Sequence, residues 1–135
     1  MKDKVNLEVK RRESWRPFAP SILEEEVKNY VENSCPTPFM LLTFIVKKEK
    51  REDLQAAMHV DNTARVQSVS PRHSPRFYKL ICEFKKLTDI AALLNTSFND
   101  KGEPIVMTPK DAIRTFSSTG LDVLAIGNFL IQKPR

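Results

Sequence analysis

Two cysteines in 135 residues exclude a disulfide framework, and neither Cys35 nor Cys82 has the paired spacing of zinc ligands. No apolar run approaches the roughly 20 residues that a membrane helix needs. The segment Met1-Lys2-Asp3-Lys4 lacks the apolar core of a signal peptide. Internal repeats and low-complexity tracts are absent. His59 has no partner at metal-ligand spacing, so it reads as a structural or surface histidine. The expectation from these absences is a cytoplasmic protein with no metal site of its own.

The composition is that of a globular domain: 41% apolar and 29% charged, which excludes wholesale disorder. The length suits one domain over residues 1–135 with a buried core. A net charge of +5 and a pI near 9.3 permit an anionic partner without naming one. The basic residues fall in two groups. Lys47, Lys48, Lys50 and Arg51 are interleaved with Glu49, Glu52 and Asp53 and read as a solvated loop. Lys10, Arg11, Arg12 and Arg16 are followed by residues with a buried character, and this group carries a functional hypothesis.

Residues 1–12 read as a helix, with Val5 and Val9 on one face. Trp15-Arg16-Pro17-Phe18-Ala19-Pro20 cannot continue it, because each proline restricts itself and the residue before it. An extended segment pinned by Trp15 and Phe18 is expected. Arg16, held between these anchors, either grips a carboxylate or phosphate of a ligand or pairs with an internal Asp or Glu. Ser21 and Glu24 have the spacing of a capping box, followed by Leu23, Val27, Tyr30 and Val31 on a short amphipathic helix. Residues 39–46 contain one polar member, Thr43, and are expected as a central strand covered on both faces. Asp61-Asn62 signals a turn, and residues 65–69 alternate as a half-exposed strand, with Arg65 and Gln67 on its polar face. Ser74 and Pro75 open a helix carrying Phe77, Leu80, Ile81 and Phe84 inward, in which Cys82 reads as a buried thiol.

A buried strand over residues 90–94 stops at Asn95-Thr96-Ser97. Small polar side chains at the end of such a strand either serve a ligand, since crevices form there in open α/β sheets, or belong to an ordinary connection. Asn99-Asp100-Lys101-Gly102 is a turn, leading to an apolar strand at residues 105–107. Thr108-Pro109 begins a helix with Ile113 and Phe116 inward and Gly120 as its stop. Residues 121–131 read as a last strand bent near Gly127. Strands alternating with amphipathic helices indicate α/β.

Four stretches together resemble the C-terminal region of the O-carbamoyltransferases of nodulation-factor and antibiotic biosynthesis. They are Val9-Lys10-Arg11-Arg12-Glu13 with Arg16-Pro17-Phe18-Ala19-Pro20; His59-Val60-Asp61 with Thr63-Ala64-Arg65-Val66-Gln67; Leu94-Asn95-Thr96-Ser97-Phe98-Asn99 with Gly102-Glu103-Pro104; and Gly120-Leu121-Asp122 with Gly127-Asn128-Phe129-Leu130. The resemblance runs in order over nearly the whole chain. It implies a YrdC-like fold, an open twisted mixed sheet with flanking helices around a basic concavity, here incomplete.

It further implies activation of carbamoyl phosphate with ATP to a carbamoyl adenylate. A separate, larger N-terminal transferase domain of actin-like ATPase fold then passes the carbamoyl group to a hydroxyl. Carried over by position, the nucleotide and carbamoyl contacts fall on Lys10, Arg16, Arg65 and Ser97, with Asn95 and Thr96 beside them. Lys10 and Arg16 would hold phosphate oxygens, Arg65 the phosphate or the carbamoyl carbonyl, and Ser97 the adenylate phosphate. Mg²⁺ is expected with ATP. The family pattern also includes a Gly-Pro-Arg-rich segment and a strand upstream of Met1, so the chain is expected to be a fragment, with an exposed edge that invites homodimerisation. The competing reading is a non-catalytic basic α/β module that binds RNA or a protein partner. Against RNA, the aromatic residues read as core and not as an exposed stacking row.

Overall fold

The computed structural model describes residues 1–134. It is a mixed α/β chain in two compact units, Met1–Arg16 with Ser97–Arg135, and Pro17–Thr96. The second is thus inserted in the sequence of the first.

The inserted unit is built on β1 (Ala19–Leu23), whose five residues are all buried. It lies between β4 (Gln67–Val69) and β5 (Ala92–Asn95) in the order β4-β1-β5. β1 runs parallel to β4, with Ser21 opposite Gln67, and antiparallel to β5, with Ala19 opposite Asn95. Pro20, which has no amide hydrogen to donate, sits just ahead of the parallel ladder. The expected capping box at Ser21 is therefore not formed. Ser21 is fully buried in the central strand, and its hydroxyl donates to Gln67 Oε1 at 2.7 Å. The short helix does follow, as a 3₁₀ turn (Glu24–Glu26) and α2 (Val27–Tyr30). Leu23, Val27, Tyr30 and Val31 all enter the core, where the Tyr30 hydroxyl accepts the Ala91 amide hydrogen at 2.8 Å.

Residues 39–46 do not form the expected central strand. Phe44–Ile45 form β2, antiparallel to β3 (Thr63–Ala64), and Val46 adds an isolated antiparallel bridge to Val31. Pro36 and Pro38 interrupt the approach, and Met40 takes a left-handed conformation with φ 58°, which breaks an extended run. Phe39 and Leu41 are left about 80% exposed (79% and 81%). The Asp61-Asn62 turn is present, with Asn62 at φ 64° and Asp61 accepting from the Thr63 amide at 3.0 Å. His59 Nδ1 bonds Thr63 Oγ1 at 3.0 Å, a structural role. α3 (Pro75–Thr88) opens on proline and closes at Asp89 in a left-handed conformation. Ile81 is fully buried, with Phe77, Tyr78 and Cys82 packed against the same core, whereas Leu80 is exposed.

The other unit begins with α1 (Lys2–Lys4), which widens into a π turn (Val5–Val9). Here Asn6, and neither valine, is the buried residue. The helical run ends at Arg11, φ 46°. Trp15 is 70% exposed, so it anchors nothing; Phe18 alone is buried. α4 (Pro109–Ser118) carries a true capping box between Thr108 and Asp111. Its Ala112 and Phe116 pack with Leu124 and with Phe98, Val106 and Ile131, while Ile113 points to solvent. Residues 105–107 form no strand; Val106 packs, and Ile105 and Met107 are exposed. The last expected strand folds back on itself as a hairpin, β6 (Val123–Ile126) and β7 (Phe129–Gln132), with Gly127 at φ 58° in the turn. A Gly in this region at a two-residue connection is what a tight hairpin needs.

Candidate functional site

The first unit contains a cleft of about 330 Å³ whose walls are the basic segment after α1 and the loop after Thr96. It brings together three of the residues singled out from sequence: Lys10, Arg16 and Ser97. Arg12, Asn99 and Lys101 line it as well.

Lys10 is 5% exposed, and the three hydrogens of its ammonium are shared among four oxygens within hydrogen-bond distance. These are the Ser97 carbonyl at 3.0 Å and hydroxyl at 3.3 Å, and the Asn99 carbonyl at 2.8 Å and Oδ1 at 2.5 Å. Ser97 Oγ donates in turn to Asn99 Oδ1 at 2.7 Å, and Asn99 Nδ2 to the Glu103 carbonyl at 2.7 Å. The buried cation thus fixes the loop in one arrangement. Its pKa lies below the ordinary lysine value, chiefly because burial penalises the charge and next because Arg12 is near; Asp100 acts in the opposite sense. Arg11 reaches across to Asp100 at 3.3 Å and to the Ser118 carbonyl.

Arg16 pairs with Glu13 at 3.0 Å, both half exposed. The internal carboxylate is therefore the partner it holds in this state. Glu13 has its pKa lowered by its own backbone hydrogen bond and then by Arg16. Arg12 Nε donates to Asn6 Oδ1 at 2.7 Å. Its pKa is lowered by burial first and Arg16 second. Lys10, Arg12, Arg16 and Lys101 line the cleft together with Glu13 and Asp100, and this excess of cations over carboxylates suits it to receive an anion.

Arg65, Asn95 and Thr96 belong to the inserted unit. Arg65 is exposed, at the break between β3 and β4. Asn95, at the end of β5, donates to Ser21 Oγ at 3.0 Å and Gln67 Oε1 at 2.8 Å, a polar cluster spanning the three strands. Thr96 is exposed. Among the described residues, no group of three or more His, Cys, Asp or Glu side chains is placed to hold a metal ion. No helix among them is long and apolar enough to cross a membrane.

The sequence places Arg12 in the basic group that carries the functional hypothesis but not among the named contacts, and it marks Asn99 as part of a turn. Each stands two positions from a residue it did select, Lys10 and Ser97, and that spacing was the available signal.

A sequence model of the family described as "Carbamoyltransferase C-terminus" matches residues 1–133. Nodulation protein NolO of Bradyrhizobium diazoefficiens is 48% identical over 98% of this chain and 25% of its own length. An uncharacterized Synechocystis protein, sll1178, is 44% identical with the same coverages. The 3'-hydroxymethylcephem-O-carbamoyltransferase of Amycolatopsis lactamdurans is 30% identical, again over 98% of this chain and 25% of its own. The chain thus spans about a quarter of the length of these relatives. On the family match over nearly every residue, and on relatives of this identity, the chain belongs to the carbamoyltransferase C-terminal family.

Proposed function

We propose that this chain is the carbamoyl-activating part of an ATP-dependent O-carbamoyltransferase, and that the cleft beside Lys10 takes nucleotide phosphates. One observation carries the reading: a fixed Ser97–Asn99 loop faces Arg12 and Arg16 across a cleft of about 330 Å³, in a chain of a carbamoyltransferase family. In the reaction, water cleaves carbamoyl phosphate to phosphate and carbamate, which supplies the nucleophilic oxygen. A carbamoyl oxygen attacks the α-phosphorus of ATP, and the bond to pyrophosphate breaks, leaving a carbamoyl adenylate. Such a step crowds negative charge, so the protein's contribution is positioning and cations held ready.

Arg16 is suited to exchange Glu13 for a phosphate oxygen. An exposed ion pair contributes only about 0.2–1 kcal/mol, whereas a hydrogen bond to a charged group contributes about 1.5–3 kcal/mol. Lys10 acts by holding Ser97 and Asn99 in place, and the Ser97 hydroxyl, which donates to Asn99 Oδ1, turns its hydrogen to the adenylate phosphate when nucleotide binds. Arg65, Asn95 and Thr96 stay as candidate contacts of the inserted unit, on the family resemblance alone. Mg²⁺ would arrive with the ATP phosphates, where it neutralises charge. Transfer to the hydroxyl acceptor falls to a separate N-terminal domain of the parent protein.

The test is pyrophosphate release from ATP that depends on carbamoyl phosphate. Release by the chain, reduced at least tenfold in a folded Arg16→Ala variant, is expected. Release that is unchanged in Arg16→Ala removes Arg16 from the site. A chain that binds RNA and no nucleotide supports the binding-module reading instead.

A further inference from the structure

The residue that sets the cleft's basic wall is one the functional reading does not use. Asn6 lies in the π turn (Val5–Val9), where the widened backbone turns its side chain inward; it is 0% exposed. Both hydrogens of its amide are committed, Nδ2 donating to the Ser14 carbonyl at 3.1 Å and the Arg16 carbonyl at 3.0 Å. Its Oδ1 accepts from Arg12 Nε at 2.7 Å, and its backbone carbonyl accepts the Arg12 amide hydrogen at 3.0 Å. Asn6 therefore grips Arg12 twice and ties down both ends of the loop that carries Arg16. A buried polar side chain is tolerated only when its hydrogen bonds are made, and an aliphatic residue would fill the same space without that demand. All of its side-chain bonds run to the segment that walls the cleft.

Resting on the nucleotide reading above, we propose that Asn6 is a positioning residue of the phosphate cleft, presetting the Arg12 guanidinium and the residue 14–16 backbone for a phosphate anion. With Nε held by Asn6, the guanidinium is fixed in plane at the wall of the cleft. A side chain already placed loses less freedom on binding. Widened helical turns of this kind often stand at functional sites, and here the turn delivers the amide that organises the wall.

The experiment uses the full chain as wild type, Asn6→Ala and Asn6→Asp, with MgATP titrated by calorimetry and the Arg12 Nε–H signal followed by ¹⁵N NMR. The wild type is expected to show a slowly exchanging Arg12 Nε–H. Asn6→Ala should lose that signal and bind MgATP about tenfold or more weakly while keeping its thermal transition. Asn6→Asp keeps an acceptor for Arg12 but sets a carboxylate against two carbonyls, so the signal should stay and part of the affinity return. A folded Asn6→Ala protein with wild-type affinity or a wild-type Arg12 signal overturns the proposal. Should Asn6→Ala fail to fold, Asn6→Asp decides: wild-type affinity overturns the proposal, and a several-fold loss with the signal retained upholds it. If the wild type binds no MgATP, the nucleotide reading fails. The Arg12 signal then judges Asn6 alone, its survival in Asn6→Ala counting against the role and its loss in favour.

Discussion

Lys10 shows how one buried cation organises the cleft. Its four acceptors favour the charged ammonium, while burial and the neighbouring Arg12 disfavour it, and the disfavouring effects win. The sign of the resulting pH dependence follows. Lys10 gives up its proton more readily in the folded chain than in the unfolded one. Between its lowered pKa and the ordinary lysine value the unfolded state holds more protons, so stability rises with pH across that window. Below it the cost of the buried charge is constant. Lys10→Met, which cannot titrate, should flatten the alkaline part of the stability–pH curve measured by urea midpoints; an identical slope would contradict the assignment. Arg16 illustrates the opposite case. Two partners were open from its spacing, a ligand anion or an internal carboxylate. Glu13 holds it here, half exposed and weak enough to yield.

Among the elements, those with a strong local signature were legible in the sequence. α3 and α4 have proline in the first turn and apolar residues at helical spacing, and the Asn62 and Gly102 turns have the residues that left-handed φ values favour. The misread elements were decided by partners far away in the chain. Ser21 and Glu24 satisfy a capping-box pattern, yet Ser21 pairs across to Gln67 and Asn95, contacts that no local pattern encodes. Residues 39–46 have the composition of a central strand, but the three-stranded sheet is filled by β4, β1 and β5. The final strand became a hairpin because Gly127 permits a reversal that its apolar neighbours hid.

Gly120 marks a close approach of the same non-local kind. Its amide donates to the Glu8 carbonyl at 2.9 Å, and a Cβ there would lie 2.8 Å from that oxygen. Since the obstacle is backbone, Gly120→Ala should destabilise the chain by about 1–3 kcal/mol, read as a lowered urea midpoint. No change would show that the segment shifts without cost.

At the scale of the whole molecule, α/β class and family membership were legible, because collinear motifs over most of the chain carry more information than any single element. Half of the site was legible too: Lys10, Arg16 and Ser97 meet at one cleft. Arg12 as a contact, Asn99 and the supporting Asn6 were not: Asn99 meets Lys10 across a separation of 89 residues, and Asn6 is buried in a helical turn that widens over Val5–Val9, which the apolar spacing of Val5 and Val9 hides. Several apolar side chains, Phe39 and Leu41 among them, remain at the surface, which explains why apolar density alone misplaced the core. The net charge of +5 suits a nucleotide and RNA equally, and salt separates the two. RNA binding through many phosphates releases counterions and weakens steeply with salt, whereas a nucleotide cleft binds one ligand at a fixed ratio with milder dependence. The most direct measurement is therefore calorimetry of MgATP with this chain at two salt concentrations. Saturable binding with one nucleotide per chain, reduced only modestly by salt, is expected; no saturable binding, or affinity that collapses as salt is raised, would contradict a nucleotide cleft.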